Sequence, residues 1–231
     1  MQVPWRQLLF AQPPTQLGGM SQKSLVDHLL EEGYLRTSQI AEVLLSVRRD
    51  DFGHSDSPYN PSPIGHDQVI SAFNVHAMAC EALYPALVRP NARILDVGCG
   101  SGYLTAVFAR LNPSATVYGI DCIPELVELS RANLMKGHDD LLRDGRVVLT
   151  TFDGSKGYPP GAPYDAIHVG AAVESIPKPL LDQLGADGVL VIPVGPKHIL
   201  QELVKVTRGN QPEDMTQKQL ALVRFVPLAS K

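Results

Sequence analysis

The chain has 231 residues, 44% hydrophobic and 19% charged, which is enough to bury a substantial core in one large domain. Its formal charge of −4 and the lack of any run of Lys and Arg leave no electrostatic footprint for a nucleic-acid backbone. Apolar runs such as residues 188–194 fall far short of the roughly 20 residues that a helical membrane span needs, so neither nucleic acid nor membrane is an expected partner.

Residues 1–20 contain Arg6, an apolar patch at residues 8–10 and no acidic side chain, a composition shared with transit peptides. The patch is too short for a signal core and Pro13-Pro14 would break a targeting helix, so this stretch reads as a loose extension ahead of a single domain over residues 21–231. Over residues 21–47, apolar side chains recur at three- and four-residue steps with a break near Gly33, which predicts two amphipathic helices. Residues 51–67 carry Gly53, Pro58, Pro61, Pro63 and Gly65, and predict an irregular, ordered loop leading to a site. Helical periodicity returns over residues 74–87.

Beyond residue 90 the pattern changes. Short apolar runs at residues 94–97, 117–120, 147–150, 166–169 and 189–194 alternate with helical stretches at 104–111, 124–136 and 179–184. Strands buried on both faces and alternating with helices predict an α/β fold with a doubly wound, Rossmann-like parallel sheet. Two further strands, at residues 203–207 and 220–226, are expected to close it as a C-terminal hairpin. Residues 21–90 then form a helical part, and residues 91–231 the sheet.

The three cysteines, Cys80, Cys99 and Cys122, form no C-x-x-C pair and no Cys/His set at metal-ligand spacing. An odd count argues against a secreted disulfide framework, so reduced thiols in the cytoplasm and no metal are expected.

Chemistry concentrates after the first sheet strand, in the string DVGCGSG from Asp96 to Gly102. A glycine turn running into a helix lets a ligand approach backbone N–H groups and the helix N-terminus. Gly98, Gly100 and Gly102 are spaced two and two, whereas the dinucleotide fingerprint needs three residues between its second and third glycines. Asp96 sets a carboxylate beside the turn, which suits an ammonium group and opposes a pyrophosphate. Asp121 ends the second strand, where a carboxylate accepts both hydroxyls of a ribose. Alone, Asp96 reads equally well as a helix cap and Asp121 as a turn former; together, around a triple glycine, they describe an adenosine ligand with an amino-acid tail. That ligand is S-adenosylmethionine, and the motif resembles those of the class I methyltransferases.

Other segments narrow the resemblance. Ile64-Gly65, then Gln68-Val69-Ile70-Ser71-Ala72 and His76-Ala77, resemble the region ahead of the cofactor motif in the protein-L-isoaspartate (D-aspartate) O-methyltransferases. So do PYDAIHVGAA, residues 163–172, and the later Ile192-Pro193-Val194-Gly195. The resemblance spans residues 18–228 and implies a monomeric repair enzyme. Such an enzyme methylates the α-carboxylate freed when an aspartyl or asparaginyl residue rearranges to L-isoaspartate, in damaged proteins and peptides. It further implies that Ser71 holds the active-site serine position and that Gln68, Val69, Ile70 and His76 flank cofactor and peptide. Asp96, Gly98, Gly100 and Ser101 would form the cofactor turn, Asp121 and Cys122 the ribose edge, and Asp153-Gly154 the adenine edge.

Three departures stand out. Phe73-Asn74 replace the Pro and His or Tyr common in the family, which alters the expected peptide-side wall. Ala229 follows Val226-Pro227-Leu228 where many relatives have threonine, and Cys122 stands where a basic residue or His is common. An isoaspartyl α-carboxylate has a reference pKa near 3.5 and is already ionised at neutral pH, so methyl transfer to it needs no general base. Alignment and removal of water are expected to drive the reaction, with Ser71 donating one orienting hydrogen bond. His168 reads as a hydrogen-bonded interior group rather than a base, and Cys99 and Cys122 as packing residues. His54 and His66 read as substrate contacts or as solvated loop residues. A small-molecule methyltransferase on the same fold, or a non-catalytic reader of isoaspartyl proteins, are the competing functions.

Overall fold

The computed structural model describes residues 21–53, 61–196, 199–211 and 214–229; the expectations for residues 1–20 and for His54 lie outside them. Two short helices come first, α1 (Gln22–Glu31) and α2 (Ser38–Ser46). Ser21 caps α1 by accepting the Ser24 N–H at 3.2 Å, and Gly33, at φ +73°, makes the left-handed turn between the helices. Each helix buries the predicted stripe: Leu25, Val26 and Leu29 in α1, and Ile40, Ala41 and Leu44 in α2. A single 3-10 turn, Arg49–Asp51, follows α2.

The Pro-rich segment ends differently from the expectation. Ser62–Gly65 and Gln68–Ile70 form an antiparallel hairpin, β1 and β2, across a His66-Asp67 turn with φ of 53° and 57°. Positive φ at both central residues matches the twist of a hairpin, and Pro63 is tolerated because a two-stranded ribbon is all edge. Prolines therefore hid a strand pair. His66 occupies the exposed tip.

Helix α3 (Phe73–Leu87) leads to β3 (Arg93–Val97), α4 (Tyr103–Leu111), β4 (Thr116–Asp121) and α5 (Pro124–Leu134). A short α6 (Asp139–Arg143), β5 (Val147–Thr151), β6 (Tyr164–Val169), α7 (Lys178–Asp182) and β7 (Leu184–Val194) follow. Strands β8 (Gln201–Arg208) and β9 (Met215–Val223) end the sheet as the expected hairpin. The seven strands lie in the order β5-β4-β3-β6-β7-β8-β9; the first five are parallel, and β8 and β9 pair antiparallel. Strand order reverses between β3 and β6, which opens a crevice at their C-terminal ends.

Both sheet faces are covered, as the unalternating strand sequences require. Leu95 and Val97 of β3 belong to one buried cluster with Tyr164, Leu180 and Leu190. Ile94 points into the other, larger cluster with α1 to α4. Boundaries moved where pairing overrode local pattern. β7 begins at Leu184, five residues before its apolar run, because Leu184 pairs with Tyr164 of β6. β9 starts at Met215 and includes the exposed polar residues Thr216 to Gln219, an edge sequence with no apolar signal. Residues 224–228 leave the sheet instead, and the Ala172 N–H donates to Val226 O while Leu228 N–H donates to Ala172 O, each at 2.8 Å.

Candidate active site

The crevice holds two adjoining cavities that share Val69, Gly98, Gly100 and Gly170. The first reaches Gln68, Asp121, Cys122, Gly154 and the C-terminal segment from Val226 to Ala229. The second reaches Ile70, Ser71, His76, Asp96, Ser101 and His168. Twelve of the thirteen sequence-nominated site residues thus line one connected space; Asp153 does not. Its carboxylate instead caps a 3-10 turn, accepting the Ser155 N–H at 3.0 Å and hydroxyl at 2.7 Å, and pairs with Lys156 at 3.2 Å. That turn presents Gly154, where a Cβ would collide with Val97.

The glycine turn corrects one expectation. Three of its N–H groups are spent within the protein: Gly98 and Cys99 both donate to Ile120 O, at 2.8 and 3.0 Å, and Gly102 donates to Cys99 O at 2.8 Å. Gly100 N–H donates to Asp121 Oδ2 at 3.2 Å. A phosphate needs such donors unspent, so these four N–H groups are not available to a pyrophosphate. Gly98, Gly100 and Gly102 all have positive φ, of 72°, 54° and 84°, which lets the chain double back under the cavity floor. Asp121 also accepts the Ile123 N–H at 3.0 Å, so it is a turn former as well as a cavity carboxylate. Burial raises its pKa above the usual carboxylate value, against the backbone donors that lower it.

Asp96 is almost fully buried, at 1% exposure, and is held from both sides. Thr105 Oγ1 donates to one oxygen at 2.6 Å, and His168 Nδ1 lies 2.8 Å from the other. His168 is therefore the hydrogen-bonded interior group that the sequence suggested. Cys99 packs 3.6 Å from Ser130 Oγ, and burial pushes its thiol pKa well up, which suits a packing role.

Ser71 sits between β2 and α3 and does not cap the helix, whose N-cap is Ala72. Phe73 and Asn74 are buried behind the cavities and line neither. The family departure at these positions thus reshapes the support of the wall rather than its surface. Ala229, by contrast, lies on the cavity edge.

Sequence reasoning missed Arg49. It is buried to 3% exposure, donates to Ser71 O, and places Nη1 3.0 Å from His76 Nδ1. Its guanidinium lies 5.6 and 5.5 Å from the Phe73 and Tyr103 ring centres. Flanked by Arg48, Asp50 and Asp51, it reads as part of a solvated charge run, and no local pattern distinguishes it. Gln22 and Phe52 complete the support: Gln22 Nε2 donates to Leu44 O at 2.6 Å, and Phe52 meets Tyr103 edge-on at 5.5 Å.

Residues 20–231 match the family model of protein-L-isoaspartate(D-aspartate) O-methyltransferases. The chain belongs to this family. A Triticum aestivum protein-L-isoaspartate O-methyltransferase is 42% identical over 90% of this chain and 91% of its own length. One from Caenorhabditis elegans is 38% identical over 92% and 94%. A Plasmodium falciparum structure bearing the family's name, in complex with S-adenosyl-L-homocysteine, covers 92% of this chain and 100% of its own, with 29% identity and a TM-score of 0.82. The chain is accordingly a protein-L-isoaspartate O-methyltransferase that uses S-adenosylmethionine, on the doubly wound sheet expected. The residues present fit that cofactor: buried carboxylates at both ends of the space, a turn whose Gly98, Cys99, Gly100 and Gly102 N–H groups are already bonded, and glycines whose Cβ positions would crowd Ile64 and Val97. Among the described residues no helix is long and apolar enough to cross a membrane, and no cluster of metal-ligating side chains occurs.

Proposed function

We propose that the two cavities divide one cofactor and one substrate between them. The observation that carries this reading is the connected space with Asp121 at one end and Asp96, Ser71 and His76 at the other. Asp121 accepts the ribose hydroxyls, beside Cys122, and Gly154 leaves room for the adenine edge. Asp153 acts there through the turn it caps. Asp96 pairs with the amino-acid ammonium, while Gly98, Gly100 and Ser101 floor the cavity. Gln68, Val69 and Ile70, from the hairpin, close it from above. Residues 21–90 face the substrate and residues 91–231 carry the cofactor.

When bound, the cofactor supplies an electrophilic methyl on a sulfonium. Ser71 and the lining of the second cavity would hold an oxygen of the isoaspartyl α-carboxylate toward that methyl. The nucleophile arrives ionised, so no side chain has to take a proton. Ser71 donates one hydrogen bond that aligns the carboxylate, and the apolar lining of Val69, Ile70 and Leu104 excludes water. A stronger cationic partner would blunt the nucleophile.

The protein acts as a monomer on isoaspartyl proteins and peptides, as the resemblance implies. The separate free thiols support a cytoplasmic location, and the charge of −4 supports no nucleic-acid partner. Transfer of labelled methyl to paired peptides, differing only in isoaspartyl or normal aspartyl linkage, tests the reading. Label in the isoaspartyl peptide alone is expected; equal labelling of both, or label in small carboxylates instead, would refute it.

A further inference from the structure

Arg49 reaches the two residues that stand at the transferring end, yet the reaction as described gives it no task. An arginine has no acceptor, so its Nη1 must donate to His76 Nδ1 across their 3.0 Å separation. His76 Nδ1 then carries no proton. The ring is neutral, its single proton is on Nε2, and His76 lines the second cavity. Burial, with Arg49 and His168 nearby, holds the His76 pKa well below its usual value, in keeping with a neutral ring. Tyr103 stacks on the imidazole at 5.2 Å and 26°, which fixes its plane. The same guanidinium donates to Ser71 O and so also pins the backbone that carries the serine.

We propose that Arg49 is a positioning residue that sets the tautomer of His76 and the placement of Ser71 with one planar fork. His76 thereby presents an Nε2–H donor to the cofactor's carboxylate, opposite Asp96, which takes the ammonium; this rests on the assignment of the second cavity above. One rigid group thus couples the hold on the cofactor to the alignment of the nucleophile. Burying a guanidinium between two rings is costly, and burial lowers the Arg49 pKa to about 10. A position that only filled space would take an apolar residue at lower cost. Lysine would bring charge without the fork that serves two acceptors at once.

The test uses the full chain with S-adenosylhomocysteine and reads the imidazole directly. Long-range proton–nitrogen correlation spectra of histidine-labelled protein give the His76 tautomer, with His76→Gln identifying its signals. The parent is expected in the Nε2–H form through the neutral range. In Arg49→Met and Arg49→Lys the ring should shift to mixed tautomers or titrate nearer neutrality. S-adenosylhomocysteine affinity should weaken roughly 10- to 100-fold, the loss expected for a hydrogen bond to a charged group. kcat on the isoaspartyl peptide should fall further than the saturable loss in cofactor binding explains.

A parent ring protonated on Nδ1 overturns the proposal outright, without any variant. So do variants that keep the parental tautomer and bind S-adenosylhomocysteine within a factor of two. If Arg49→Met does not fold, Arg49→Lys and the parental tautomer still decide. The tautomer and the S-adenosylhomocysteine affinity need no methyl acceptor, so a wrong substrate assignment would leave them standing.

Discussion

The two ends of the connected cavity are built in different ways. The end proposed to hold adenosine rests on consecutive strand termini: Gly98, Cys99 and Gly100 bond to Ile120 O and Asp121, all across the adjacent parallel pair β3 and β4. The transferring end is assembled from distant segments, with Arg49 after α2, Ser71 after the hairpin, His76 in α3 and His168 in β6. The first is local and backbone-made, while the second depends on side chains that hold one another. Changes at the first should therefore read out in binding alone, and changes at the second should reach the rate of transfer.

Asp96, in the second cavity, is bonded to both Thr105 and His168 and should give the largest effect. Asp96→Ala leaves Thr105 and His168 without their buried acceptor and should lose roughly 3–5 kcal/mol of stability, as for breaking a buried hydrogen-bonded charge. Urea unfolding would measure it; a loss below about 1 kcal/mol, the range of an exposed pair, would break the comparison by showing the network to be peripheral.

Next is Ser71→Ala, expected to lower kcat roughly 10- to 1000-fold with S-adenosylhomocysteine affinity unchanged. Steady-state kinetics alongside calorimetry would separate the two. Weaker cofactor binding at unchanged kcat would move the serine to the adenosine end.

Asp121→Asn should cost about 1.5–3 kcal/mol of cofactor affinity while leaving single-turnover transfer, once saturated, near the parental rate. The carboxyl is raised above its ordinary value, so its contribution to folding stability is full below the ordinary carboxylate range and is lost as pH rises through the raised value. Binding should move the other way, weakening as pH falls through that same value, because a protonated acid accepts poorly from the ribose. Calorimetry across the acid range should show this fall in the parent and not in Asp121→Asn. The smallest effect is expected for Ala229→Thr, which restores a hydroxyl at the cavity edge and should change the peptide KM by no more than about 10-fold, one ordinary hydrogen bond.

The same contrast explains what could be read from the sequence. The glycine spacing, Asp96 and Asp121 pointed to the floor of the connected cavity because strand, turn and helix follow one another along the chain. The spent N–H groups of the turn were not legible, since their acceptor, Ile120 O, comes from the next strand. Ser71 and His76 were recognised through a family-like segment rather than by any local physical signal. Arg49 was invisible because its burial is decided by Phe73 and Tyr103, far along the chain, while its own neighbours are charged. The β1–β2 hairpin was hidden by prolines, and β9 by polar edge residues, because pairing with a neighbouring strand supplied what local pattern lacked.

The central claim is that the site aligns an already ionised carboxylate and transfers no proton. The pH dependence of the single-turnover rate, with cofactor and isoaspartyl peptide both saturating, addresses it directly. The rate should be flat between about pH 6 and pH 9, because the nucleophile ionises far below this window and His76 stays neutral across it. A rate that rises through an ionisation within the window, and loses that ionisation in Ser71→Ala or His76→Gln, would contradict the account and place a general base in the second cavity.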